Sequence, residues 1–116
     1  MSRMIAGAML FAMAAAPAAA HPKLLASTPA EGAAVAAPGE IRLQFSEKLF
    51  SKMSGAKLVR ADGKPASAAA VNFAEDGKSL LLVPAKPLAA GGYTVEWYGV
   101  AGDTHRVTGT VHFTVR

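Results

Sequence analysis

An all-β fold, a small antiparallel sandwich or barrel of Greek-key or immunoglobulin-like type, is predicted by two features of the sequence. Short segments alternate apolar and polar residues with period two, and turns rich in Gly and Pro separate them, with no amphipathic helical stretch between. About seven such strands can be placed.

The first twenty residues stand apart from this pattern. Arg3 supplies a positive start, Met4 to Ala16 form a continuous apolar stretch, and Ala18 and Ala20 give the small-x-small pattern of a signal-peptidase site. A membrane anchor needs roughly 20 consecutive apolar residues. This run is shorter and ends at helix-breaking Pro17, so residues 1–20 read as a secretory signal peptide cleaved after Ala20. The mature chain, 21–116, then begins at His21, is exported, and has no stable membrane insertion. Taking 20 residues from 116 leaves 96, enough for one small domain and too few for two.

Within that domain, Thr28-Pro29-Ala30-Glu31-Gly32 reads as a turn after an initial extended piece. Ile41, Leu43 and Phe45 then alternate with Arg42, Gln44 and Ser46, a strand with one buried face. A second strand from Ala56 to Arg60 is closed by the turn Ala61-Asp62-Gly63-Lys64. Val71 and Phe73 flank Asn72, Glu75-Asp76-Gly77-Lys78 makes a hairpin turn, and Leu80 to Val83 run back as a buried strand. After the break at 87–92, Tyr93, Val95 and Trp97 alternate with Thr94 and Glu96. The last strand is the clearest, with Val107, Gly109, Val111, Phe113 and Val115 on one face and Thr108, Thr110, His112 and Thr114 on the other.

Composition removes several classes of function. There is no cysteine, hence no disulfide, no thiolate nucleophile and no thiolate metal site. Loss of Arg3 with the leader leaves 11 basic and 8 acidic residues, a net charge of +3 with His neutral. These charges are scattered, without a basic run or interleaved aromatics, which argues against nucleic-acid binding. No phosphate-cradling Gly loop, nucleophile elbow or telling carboxylate pair occurs, so no enzymatic activity is expected.

The chemistry that remains is that of histidine and carboxylate. Cleavage would give His21 a free α-amino group beside its imidazole, and the amine and Nδ1 of one residue can chelate one metal ion. The amine has an ordinary pKa of about 7.7–8.0, within reach of displacement by a strongly bound divalent ion. Pro22 has no amide proton, which blocks coordination through the second backbone nitrogen. Asp103-Thr104-His105 is the second element. In an extended segment, residues two apart project from the same side, so a carboxylate and an imidazole could reach one ion. The same tripeptide also reads as a polar turn in which Asp103 caps a backbone amide. Together His21, Asp103 and His105 offer three nitrogens and one oxygen, a tetragonal set suited to Cu(II). Glu47, at the end of the strand that carries Phe45, is either a supporting acid for such a site or a surface ion-pair partner for Lys48 or Lys52. His112 alternates outward and reads as an exposed surface histidine.

These segments jointly resemble the CopC/PcoC family of periplasmic copper-resistance proteins: His21-Pro22-Lys23-Leu24 after the leader, Ser27 to Gly32, Phe45-Ser46-Glu47, Pro87-Leu88 with Gly92-Tyr93, and Asp103-Thr104-His105 with Thr108-Gly109. The resemblance spans essentially the whole mature chain. It implies a seven-stranded β-barrel or sandwich that binds one Cu(II) through the His21 amine and imidazole, Asp103 and His105, with Glu47 in support. Some members carry a Cu(I) site in a loop rich in Met and His. Here the corresponding region is Arg60-Ala61-Asp62-Gly63-Lys64 and the leader takes every methionine but Met53, so a Cu(II)-only form is expected. Arg106 stands where many members have proline. The implied function is copper resistance and homeostasis, by sequestering Cu(II) and passing it to an inner-membrane CopD-type permease. The alternatives are a histidine-brace copper oxidoreductase and a metal-free structural or interaction sandwich.

Overall fold

The computed structural model describes residues 21–66 and 69–116; the leader and its cleavage point lie outside the described residues. Eight strands follow in chain order: β1 (Leu24–Thr28), β2 (Ala33–Val35), β3 (Ile41–Phe45), β4 (Gly55–Arg60), β5 (Ala69–Phe73), β6 (Ser79–Pro84), β7 (Gly91–Val100) and β8 (Arg106–Val115). A single 3-10 turn at Ser51–Met53 precedes β4, and it is the only helical element among the described residues. The strands form two four-stranded sheets, ordered β1-β3-β6-β5 and β2-β8-β7-β4.

Two expectations are corrected. The strand count is eight rather than seven, and one pairing is parallel: Ala33, Ala34 and Val35 lie beside Phe113, Thr114 and Val115. The extra strand has no apolar alternation. Its backbone makes it: Gly32 N–H donates to the His112 carbonyl at 2.7 Å and Arg116 N–H to the Val35 carbonyl at 2.8 Å. The run Leu80 to Val83 is also less buried than its composition implies. Leu80 and Leu82 are fully buried, whereas Val83 is exposed, because this sheet has one covered face.

Alternation decides the rest. Ile41, Leu43 and Phe45 meet Leu80 and Leu82 on the inner face of the first sheet, opposite Val95, Trp97, Val111, Phe113 and Val115 of the second. Phe45 and Trp97 meet edge to face across the sandwich, ring centroids 4.9 Å apart. The Trp97 indole lies over Gly109, its partner on β8. A Cβ there would come within 2.4 Å of the ring.

On the opposite face of β8, Glu31 holds the turn before β2. Its Oε1 accepts the His112 backbone N–H at 2.9 Å and its Oε2 lies 3.1 Å from His112 Nδ1. The backbone bond, with smaller help from the ring, holds the Glu31 carboxyl below its ordinary 4.5.

Two outcomes follow from this packing. Gly109→Ala lowers the unfolding free energy by about 1–3 kcal/mol in urea denaturation, because the Trp97 ring must move in a filled core. Glu31→Gln costs stability near neutral pH. A depressed carboxylate contributes above its unfolded value of 4.5 and stops contributing as pH falls through its lower folded value, so the melting curves of the two proteins converge in acid.

Candidate metal centre

Two distant stretches meet at one end of the sandwich. The first is 21–23. Pro22 is fully buried, seated beside Gly99 and Leu49: a Cβ on Gly99 would lie 3.6 Å from Pro22 Cγ and 3.3 Å from Leu49 Cδ2. Lys23 and Ser46 exchange hydrogen bonds, Lys23 N–H donating to Ser46 Oγ and Ser46 N–H to the Lys23 carbonyl, both at 2.9 Å. This pairing carries the β1–β3 ladder past its last regular residue and leaves His21 at the rim.

The second stretch is the five-residue loop 101–105 between the last β7–β8 pair, Val100 and Arg106. Ala101 is fully buried, and its carbonyl accepts the Thr104 N–H at 2.9 Å. Asp103 Oδ1 accepts the His105 N–H at 3.0 Å. Thr104 sits at φ 63°, in the left-handed region, which is costly for a β-branched residue. The tripeptide is therefore a tight turn and not the extended segment expected from its spacing. Asp103 and His105 still face the same way.

The two carboxylate oxygens of Asp103 face different partners. Oδ1 caps the backbone. Oδ2 faces His21 Nδ1 in direct contact and lies 3.6 Å from His105 Nδ1. The two imidazoles stack at 5.4 Å between centroids, 27° from coplanar. One potential ligand atom from each of His21, Asp103 and His105 lies within 4.8 Å of the others. Ligands on one ion at about 2.0–2.1 Å stand at most about 4 Å apart, so small rotations would bring all three onto one ion. Both imidazoles have room to rotate, at 51% and 75% exposure, while Asp103 is held at 22%.

Glu47 is half-buried in the segment after β3 and is not part of this group. It forms no ion pair with Lys48 or Lys52; the carboxylates paired among the described residues are Glu31, Glu96 and Asp103. His112 is exposed on β8, six residues from Arg106 and about 20 Å along the strand. The structure adds positioning roles for Pro22, Ser46 and Thr104 that the residue pattern does not give. Pro22 is visible as an apolar residue beside a candidate ligand; Ser46 and Thr104 carry no signal of their own.

A family model described as the CopC domain matches residues 24–116. This chain belongs to the CopC domain family. It is 50% identical over 103 residues to copper resistance protein C of Pseudomonas syringae pv. tomato, covering 84% of this chain and 82% of that protein. It is 46% identical over 104 residues to copper resistance protein C of Escherichia coli, with the same coverage of each. The crystal structure of PcoC, a methionine-rich copper resistance protein from Escherichia coli, superposes with a TM-score of 0.78 at 46% identity, over 84% of this chain and 100% of that one. CopC from Methylosinus trichosporium OB3b superposes with a TM-score of 0.74 at 28% identity, over 82% and 93% of the respective chains. The two-sheet all-β architecture is thus the CopC fold. In this CopC-domain chain the family match contains Glu47, Asp103 and His105, and His21 lies just before it.

Thr104→Gly relieves the left-handed strain and raises unfolding free energy by about 1 kcal/mol, net of the added chain entropy, as read by chemical denaturation. Thr104→Pro, which fixes φ near −65°, abolishes the convergence of Asp103 and His105. Loss of the His105 amide's protection from hydrogen exchange reports it.

Proposed function

We propose that the chain is a periplasmic Cu(II)-binding protein of copper resistance and homeostasis, non-enzymatic, taking one Cu(II) per mature chain. The observation that carries this reading is the convergence of His21, Asp103 and His105 at one end of the fold, with His21 at the residue where signal-peptide cleavage after Ala20 would create a free amine. That amine and two imidazoles supply three nitrogens, and Asp103 Oδ2 the oxygen. Such a set suits tetragonal Cu(II), which also stands above Zn(II) in the usual order of affinities. Family membership and the copper resistance proteins among the relatives favour copper. Glu47, which lies outside the His21–Asp103–His105 group, is read as a supporting acid.

The site is read as Cu(II)-only. The Escherichia coli relative PcoC is described as methionine-rich, whereas residues 21–116 contain one methionine, Met53. The turn after β4 that follows Arg60 is an ordinary polar one, with Asp62 Oδ1 accepting the Lys64 N–H at 2.9 Å. Capture proceeds by displacement of protons from the amine and imidazoles, and release by ligand exchange or by one-electron reduction to Cu(I) by an external reductant, since Cu(I) prefers sulfur ligands. A CopD-type permease of the inner membrane is the recipient in this scheme.

The deciding test compares Cu(II) titration and electron paramagnetic resonance of two proteins, one beginning at His21 and one with a single alanine before it. The expected result is tight, nitrogen-rich, one-equivalent binding that collapses on extension; equal binding by both would remove the His21 amine from the site. His105→Ala is expected to weaken Cu(II) binding by about 100-fold or more, at or beyond the upper end of effects from outer-shell partners. Affinity falls as pH drops, because protons compete with the ion for the same nitrogens.

A further inference from the structure

The loop that carries Asp103 and His105 is fixed unequally at its two ends. Val100, at the β7 end, directs its N–H to Ser54 Oγ at 2.9 Å, and its carbonyl accepts the Phe50 N–H at 2.8 Å. Both backbone groups thus point towards the 3-10 turn and away from β8. The Val100–Arg106 pair that closes the loop is therefore of the non-hydrogen-bonded kind, in which facing side chains stand closer together. His105 itself is three-quarters exposed, and its own packing cannot fix its position.

The side chain at the β8 end is Arg106, bonded directly to His105. It lies diagonally across from Tyr98 on the outer face of the sheet, within reach of long and aromatic side chains. Its guanidinium carbon sits 4.2 Å from the Tyr98 ring centroid. The ring in turn lies against Gly55, where a Cβ would come within 2.8 Å of Tyr98 Oη and 3.0 Å of Cζ. Gly55 backbone, Tyr98 ring and Arg106 guanidinium thus form three layers, the first rooted in β4 and the last in the residue after a candidate ligand.

We propose that Arg106 and Tyr98 are positioning residues for the metal loop: their cation–π stack fastens the start of β8 to β7 and so sets where His105 stands relative to Asp103 and His21. The metal consequence rests on the Cu(II) reading above; the fastening of the loop does not. The stack acts against a cost, since a guanidinium beside a cation site repels the ion. Charge and stacking therefore predict opposite signs when Arg106 is removed.

The experiment uses the chain recovered after export from a bacterial host, its N-terminus established by mass spectrometry. In the metal-free protein, amide hydrogen exchange at His105 is expected to quicken about two- to fivefold in Arg106→Ala and in Tyr98→Leu, the range an exposed cation–π contact supports. Tyr98→Phe, which keeps the ring, stays at the wild-type rate, and the double variant Arg106→Ala/Tyr98→Leu is no faster than either single one. Exchange at Val95, deep in β7, is the control for global stability and stays unchanged. In the loaded protein, Cu(II) release to a chelator quickens by the same factor in Arg106→Ala and Tyr98→Leu. Unchanged His105 exchange in Tyr98→Leu, or tighter copper binding in Arg106→Ala alone, would overturn the positioning role and leave only charge repulsion. Absence of Cu(II) binding by the wild-type protein would sink the copper reading, and the exchange result would still decide the stack.

Discussion

The burial of Pro22 against Gly99 and Leu49 is the contact on which the end of the molecule depends. Here a side chain one residue from His21 is packed as deeply as the core leucines. It rests on the strand whose end launches the Asp103–His105 loop, so the two halves of the cluster share one support. The reciprocal bonds of Lys23 and Ser46 set the direction in which the chain leaves it.

Asp103 extends the same economy to a single side chain. One oxygen shapes the turn, the other faces two imidazoles. A carboxylate already held by a backbone amide has lost much of its rotational freedom, which lowers the entropic cost of any further contact it makes. The left-handed Thr104 belongs to this arrangement, because it closes the turn in which Asp103 Oδ1 accepts the His105 N–H.

Much of this was legible in the sequence, where period-two alternation met a single covered face. Ile41 to Phe45, Tyr93 to Trp97 and the last strand all declared both their type and their inner residues. The polar pattern also exposed Asp103 and His105 as a pair and left His112 outside. What could not be read depends on pairings distant in the chain. β2, Ala33-Ala34-Val35, is held by backbone bonds to β8, and nothing in its composition marks it. Glu31 finds His112 81 positions away. The Arg106–Tyr98 stack requires the β7–β8 register, which alternation alone leaves open. The left-handed conformation of Thr104 is imposed by its neighbours against its own preference.

The short strand β2 has a further consequence for a chain without disulfides. The end of a long strand with unpaired backbone groups is a template for a second molecule. By lying parallel to 113–115, and by securing the preceding turn through Glu31, this small segment occupies that edge. A three-residue stretch whose packing against the core is that of Val35 thereby acts as a guard on the sheet, shielding the end of its most regular strand from self-association.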